Sequence, residues 1–144
     1  MRLDANYSFY RPSISQNTPP YTVAGHPEQF LGAPAHRGSI RATIRPFSRF
    51  GVTPSAVILG DRFAMGPPGA MDEPTAVKIP AQVLANLFVY YDDIGLKGVR
   101  LGVGIYNAFA TDYRFVRPYN TEHAPLPGLD REIMVQLSYL FEKS

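Results

Sequence analysis

Six stretches of the chain alternate apolar and polar residues with a period of two. Each comes near the roughly 9 to 11 residues that a tilted strand needs to cross a bilayer. The last stretch is the clearest: Ile133, Val135, Leu137, Tyr139 and Phe141 share a face, opposite Glu132, Met134, Gln136, Ser138 and Leu140. From Gly98 to Phe109, Val99, Leu101, Val103 and Ile105 oppose Arg100, Gly102, Gly104 and Tyr106. Near the start, Leu3, Ala5, Tyr7 and Phe9 oppose Arg2, Asp4, Asn6 and Ser8, and further on Ile40, Ala42 and Ile44 oppose Ser39, Arg41, Thr43 and Arg45. Two stretches are less regular. Val52 to Phe63 contains Pro54 and the run Ala56-Val57-Ile58-Leu59, and Ala81 to Tyr91 is apolar on much of both faces. In the latter, Val83, Leu84, Leu87 and Tyr91 also suit helical spacing, but Phe88-Val89-Tyr90-Tyr91 is strongly β-forming and selects a strand.

The connections alternate in length. Arg11 to Arg37 is long, Pro46 to Gly51 short, Met65 to Pro80 long, Asp92 to Lys97 short and Ala110 to Arg131 long. Outer-membrane barrels have this asymmetry, with tight periplasmic turns and longer extracellular loops. The pattern therefore predicts an all-β, antiparallel up-and-down meander of about six strands, a partial transmembrane β-barrel. Arg41, Arg45 and Arg100 identify the lumen face, because on the lipid face each costs about 2–4 kcal/mol at the midplane. Tyr7, Phe9, Tyr91, Tyr139 and Phe141 lie toward strand ends on the other face, as interfacial aromatic girdles do.

Composition agrees with strands separated by turns: among 144 residues there are 14 Pro, 12 Gly, nine Tyr and nine Phe, with 18% charged. A formal charge of +2, spread over scattered Lys and Arg, argues against nucleic acid as a partner. The absence of cysteine excludes disulfides and thiolate metal sites. No stretch reaches the about 18 consecutive apolar residues of a membrane-spanning helix, a test that barrel strands escape. Six strands are fewer than the eight of the smallest common barrels, and hydrocarbon tolerates no open sheet edge, so the sheet needs further strands. Met1 stands at once inside a two-faced segment, and Met1-Arg2-Leu3-Asp4 is no secretory signal. Residues 1–144 are accordingly expected to be the carboxy-terminal segment of a larger barrel.

At this point a family resemblance emerges. Gly98-Val99-Arg100-Leu101-Gly102-Val103-Gly104-Ile105-Tyr106-Asn107-Ala108-Phe109 is followed by Asp112-Tyr113, Ala124-Pro125-Leu126-Pro127-Gly128, Arg131-Glu132 and the aromatic-ended final strand. That order resembles the end of TonB-dependent receptors. Ala33-Pro34-Ala35-His36-Arg37 and Leu59-Gly60-Asp61-Arg62-Phe63 are similar to the preceding strands of the same family. One departure is the tail Glu142-Lys143-Ser144, where many members end at the aromatic residue. The resemblance implies a plugged 22-stranded barrel in the bacterial outer membrane, importing a scarce ligand such as an iron-siderophore or cobalamin. It implies lipid, the rest of the barrel, a plug domain, TonB acting through that plug, and the barrel assembly machinery as partners. The machinery would read Leu137, Tyr139 and Phe141 as the terminal signal. Neither plug nor TonB-contacting segment is recognisable in the chain, so transport by residues 1–144 alone is not expected.

Catalytic chemistry finds little support. His26, His36 and His123 fall in the expected extracellular loops, and only Glu122 beside His123 offers a second ligand, so no metal site is expected. Asp92-Asp93 sits at a short turn, where Asp bonds its own backbone. Gly102-x-Gly104 lacks the third glycine of a dinucleotide fingerprint and instead lets neighbouring groups approach the sheet closely. No nucleophile–base constellation is present; neither enzyme activity nor a cofactor is expected. In the last long loop, Tyr113, Arg114, Phe115, Arg117, Tyr119 and Asn120 mix aromatic and cationic groups suited to an anionic, partly aromatic ligand. The same residues also suit a loop that packs on its neighbours. Two competing readings remain: a soluble β-barrel or sandwich holding a small apolar ligand, with the apolar face turned inward, and an outer-membrane barrel of another family.

Overall fold

The computed structural model describes residues 1–12, 22–23, 26–68, 74–116 and 126–141, and all regular structure among them is β. In chain order the strands are β1 (Arg2–Phe9), β2 (Thr22–Val23), β3 (His26–Phe30), β4 (His36–Phe47), β5 (Phe50–Leu59) and β6 (Arg62–Pro68). They continue as β7 (Pro74–Ile79), β8 (Gln82–Asp92), β9 (Val99–Tyr106), β10 (Arg114–Phe115), β11 (Leu126–Pro127) and β12 (Glu132–Tyr139). Among these residues no helix is long and apolar enough to cross a membrane, which says nothing of strands. One six-stranded sheet runs β1-β4-β5-β8-β9-β12, every pair antiparallel, and does not close on itself. The expected all-β meander is thus present.

Register carries the two-faced pattern of single strands across the whole sheet. Residues directly opposite in an antiparallel pair point to the same face. Leu3 faces Ala42, Ile40 faces Ala56, Ala56 faces Ala85, Leu87 faces Ile105 and Ile105 faces Ile133. A second row runs Ile44, Val52, Val89, Val103 and Val135. No Lys, Arg, Asp or Glu of the six strands joins these rows. Arg2, Asp4, Arg37, Arg41, Arg45, Asp92, Arg100 and Glu132 all have the opposite parity.

The apolar rows are not a core. Leu3, Ile133, Val135 and Leu137 are 60%, 68%, 68% and 72% exposed, and none of the buried apolar residues (Val23, Leu31, Leu59, Phe63, Ala64, Ile79, Tyr90) belongs to that face. Strand spacing of about 4.8 Å and a rise of about 3.4 Å per residue give this face on the order of 29 by 27 Å. That is roughly 800 Å², above the few hundred Å² of apolar patch that soluble monomers usually expose.

Prolines and glycines mark where the strands deviate. Pro46 lies in the irregularity between Ile44 and Phe47, where the β4–β5 register shifts, and there it has no ladder donor to lose. Pro54 stands mid-strand; β4 and β5 pair at Arg41↔Ser55 and again at Ile44↔Val52, with no paired residues in between. The stretch expected as one strand from Val52 to Phe63 breaks at Gly60-Asp61. The Gly60 N–H donates to His36 O at 2.8 Å, and the Ala81 N–H donates to Asp61 Oδ1 at 2.8 Å, so Phe63 leaves the sheet and enters β6.

The two ends of the sheet differ. At one end are the two-residue turn Ser48-Arg49 and the turn Asp93–Gly98; here Asp93 has φ 58° and its Oδ1 accepts the Gly98 N–H at 2.8 Å. Arg49 Nε lies 3.7 Å from Asp93 Oδ2 and the Asp92 N–H donates to Arg49 O at 2.7 Å, tying the turns together. At the other end, the segments expected as plain loops contain the hairpins β2–β3, β6–β7 and β10–β11. Val23, Leu31 and Phe63, flanked by Met65 and Ala76, form a small core joining the first two hairpins. Each hairpin is too short, and too rich in Pro, for a visible period of two.

Candidate functional site

The polar face and the base of the long-loop end hold the chemistry-bearing side chains. Polar parity in β8, β9 and β5 brings Phe88 over Gly102 and Tyr90 over Gly51: a Cβ on those glycines would lie 2.4 Å from Phe88 Cζ and 2.1 Å from Tyr90 Cζ. The rings therefore lie flat on neighbouring strands, which accounts for glycine at both positions. Tyr90 is buried and held by two cations. Arg45 Nε donates to its hydroxyl at 2.9 Å, and the Arg100 guanidinium sits 4.3 Å from its ring centre. Arg100 in turn grips Asp92 with two bonds, Nε to Oδ1 at 2.5 Å and Nη2 to Oδ2 at 3.1 Å, the fork geometry that suits carboxylates. Asp92 is thus an arginine partner, where a turn-forming role was expected; its neighbour Asp93 fills that role.

Arg41, Arg45 and Arg100, singled out from the sequence, all lie on the polar face, and β4 adds Arg37 because it begins at His36, ahead of the expected start at Ser39. Between the charges the face presents the small polar groups Asn6, Ser39, Ser55 and Asn86, which line one groove together with Asp4, Arg41 and Tyr106.

At the long-loop end the anchors are two residues that the sequence alone did not reveal. Asn107 is buried with φ 47°, and its backbone N–H donates to Asn86 Oδ1 at 3.0 Å. Its side chain closes a ring with Thr111, donating to the Thr111 carbonyl at 2.9 Å and accepting the Thr111 N–H at 2.9 Å. Arg62 is 4% exposed; Nη2 donates to Gln82, the guanidinium carbon lies 5.0 Å from the Tyr113 ring centre, and Nε has no hydrogen-bond partner. Asn107 stands in a recognisable Asn-x-Phe element, yet nothing local signals its left-handed backbone; Arg62 reads as an ordinary strand cation.

Of the loop residues expected to meet a ligand, Tyr113 covers Arg62 and meets Phe115 edge-on at 4.9 Å, while Arg114 and Phe115 form β10 and Arg114 pairs with Asp112 at 3.2 Å. Arg117, Tyr119 and Asn120, like His123, lie outside the described residues. His26 and His36 are not free loop residues: His26 opens β3 against the Phe63 ring at 4.6 Å. His36 opens β4 on the apolar face, its Nδ1 bonded to the Tyr7 hydroxyl at 2.7 Å and its ring beside Phe9 at 5.1 Å. Among the described residues no cluster of metal-ligating side chains occurs. Asp61, at the long-loop end, is held below the usual carboxylate range by the Lys78 ammonium at 2.7 Å and by the Ala81 N–H.

Leu137, Tyr139 and Phe141 end the chain's final strand segment on the apolar side, exposed, with Tyr139 and Phe141 in T-shaped contact at 4.4 Å. Phe47, Phe50 and Tyr91 stand at the same end of the sheet.

An open antiparallel meander with one charge-free face and one polar face has the architecture of a segment of β-barrel wall. No protein-family model and no curated protein sequence matches the chain. Its fold is similar to a chain in the solved structure of the FpvAI–pyocin S2 complex, with a TM-score of 0.70 and 13% sequence identity. The likeness covers 95% of this chain and 16% of that one, so the chain spans about one-sixth of the length of the structure it matches.

Proposed function

We propose that the chain forms the carboxy-terminal part of the barrel of a TonB-dependent receptor in the bacterial outer membrane. The observation that carries this reading is the charge-free, exposed apolar face running unbroken through six registered strands. Lipid is the solvent for which such a face is suited, since barrel strands place apolar residues outward and polar ones inward. At a tilt of about 40°, strands of ten to twelve residues rise roughly 26–31 Å, enough for an apolar band of about 25 Å; β4, β5 and β8 have 12, 10 and 11 residues. The fold likeness to a TonB-dependent receptor complex and the ordered terminal motif support the family.

In this reading the edges of β1 and β12 pair with further barrel strands, and the polar face lines a lumen filled by a plug through which TonB acts. The assembly machinery engages β12, and the imported solute is a scarce ligand such as an iron chelate or cobalamin. Residues 1–144 act as wall and bear no catalytic chemistry.

Single-cysteine labelling tests the reading cleanly, because the chain has no cysteine of its own. With the protein in outer-membrane vesicles, Val103→Cys and Val135→Cys should react with a membrane-soluble maleimide and resist a charged one. Ser39→Cys and Asn86→Cys should do the reverse. Equal access of the charged reagent to both sets refutes a lipid-facing apolar surface. Protonophore-sensitive uptake of labelled ferric chelate by cells then separates a TonB-dependent importer from another outer-membrane barrel.

A further inference from the structure

Resting on the barrel reading above, we propose that β4 carries an arginine track along the wall where it meets the plug, which favours passage there of a multiply charged oxyanion solute, one bearing phosphate or several carboxylates. The polar side of β4 reads Arg37, Ser39, Arg41, Thr43, Arg45, a cation at every fourth residue with a hydroxyl midway between. All three arginines are exposed, and among the described residues none of the three has a carboxylate within ion-pair distance. The carboxylates nearest by register are already engaged, Asp4 with Arg2 at 3.0 Å and Asp92 with Arg100. The face therefore holds positive charge that its own acids do not neutralise.

Spacing decides what kind of anion fits. Successive arginines stand about 13–14 Å apart along the strand, and each stem carries its guanidinium roughly 6–7 Å from the backbone. Neighbouring guanidiniums come within reach of one solute where their stems lean along the strand toward each other, and a solute leaving one then meets the next. Ser39 and Thr43 supply hydroxyl donors at the midpoints, and Ser55 beside Arg41 and Asn6 beside Ser39 widen the polar floor. The track runs from the long-loop end at Arg37 to the short-turn end at Arg45, where Arg100 adds a further cation across Tyr90. A small, compact oxyanion suits this hand-over, since guanidinium forks bind carboxylate and phosphate oxygens in pairs. An acidic polypeptide would need carboxylates at a matching four-residue interval. Cation-lined pores select anions on the same principle.

The complete barrel to which residues 1–144 belong, held in nonionic detergent micelles, gives the test, with inorganic tripolyphosphate as probe and sodium chloride at matched ionic strength as control. Nitrogen NMR of the arginine Nε–Hε groups reads each site in the unsubstituted chain. Tripolyphosphate should shift Arg37, Arg41 and Arg45 saturably, and chloride should not. Joint Arg37→Gln, Arg41→Gln and Arg45→Gln substitution should weaken binding by about tenfold or more, whereas the corresponding three Lys substitutions should retain part of it. A micelle-soluble spin label checks the underlying reading in the same sample by broadening Val103 and Val135. Broadening without a tripolyphosphate-specific shift overturns the arginine track and leaves the barrel reading standing. A missing broadening overturns both. Shifts shared equally by Arg49 and Arg114 overturn the track as well, since they report an unspecific cationic surface.

Discussion

Val103→Arg puts the central argument at risk. Val103 lies in the middle of β9, faces Val89 on one side and Val135 on the other, and is 42% exposed. If that exposure is to hydrocarbon, a guanidinium there costs about 2–4 kcal/mol, and near the interface only about 0–1 kcal/mol. At 1.36 kcal/mol per decade, this is a fall of roughly 30- to 900-fold in the ratio of inserted to uninserted chain. Val99→Arg, at the short-turn end of the same row, should lose less than about fivefold. Met134→Arg, on the polar face of β12 opposite Gly104, should be close to neutral. Urea-dependent folding of the complete barrel into lipid vesicles, followed by tyrosine fluorescence and by mobility shift on unheated gels, measures all three. The depth profile is the decisive quantity. A Val103→Arg cost under about 1 kcal/mol, or one equal to that of Val99→Arg, would refute the lipid-facing assignment. A soluble sheet with its apolar face in water gives the first result, and a buried protein core has no reason to follow membrane depth.

Three further outcomes follow from local geometry. Gly51→Ala should destabilise by about 1–3 kcal/mol, because its methyl meets a Tyr90 ring pinned by Arg45 and Arg100, and a Tyr90→Ala background should relieve most of that loss in the same urea titration. Asn107→Ala should cost about 2–4 kcal/mol through orphaned backbone groups and a left-handed φ, and should speed hydrogen exchange of the Thr111 amide without disturbing Arg100. Asp61 has a folded pKa below its unfolded value, so its contribution is full above about pH 4 and fades as acid protonates the carboxylate. Protease resistance of the β6–β7 hairpin should therefore fall below that pH, and Asp61→Asn should flatten the acid side of the profile.

The sheet was legible because its information is repeated. Five residues such as Ile133, Val135, Leu137, Tyr139 and Phe141 state one face five times, and register then has few ways to align six such strands. The same redundancy placed Arg41, Arg45 and Arg100. What escaped the sequence is set by single contacts. The break at Gly60-Asp61 depends on two hydrogen bonds, from Gly60 to His36 and from Ala81 to Asp61, that only the assembled chain supplies. Arg37 read as the end of a loop because Gly38 interrupts the apolar row before it, although its parity matches Arg41. Asn107 and Arg62 do their work through Asn86, Thr111, Gln82 and Tyr113, partners 4 to 51 residues away that no local pattern announces.

The unpaired interval beside Pro54 has a consequence for how such a wall behaves. In hydrocarbon a missing rung cannot be covered by water, so the strands flanking it hold together there chiefly through side-chain packing. Ala42 and Thr43 thus sit at a seam at mid-height between β4 and β5, with continuous ladders on the far sides of both strands. A wall with one such seam flexes along a fixed line instead of fraying at random, and deuterium should enter first at the Ala42 amide, which faces β5, while the Thr43 amide is held by β1.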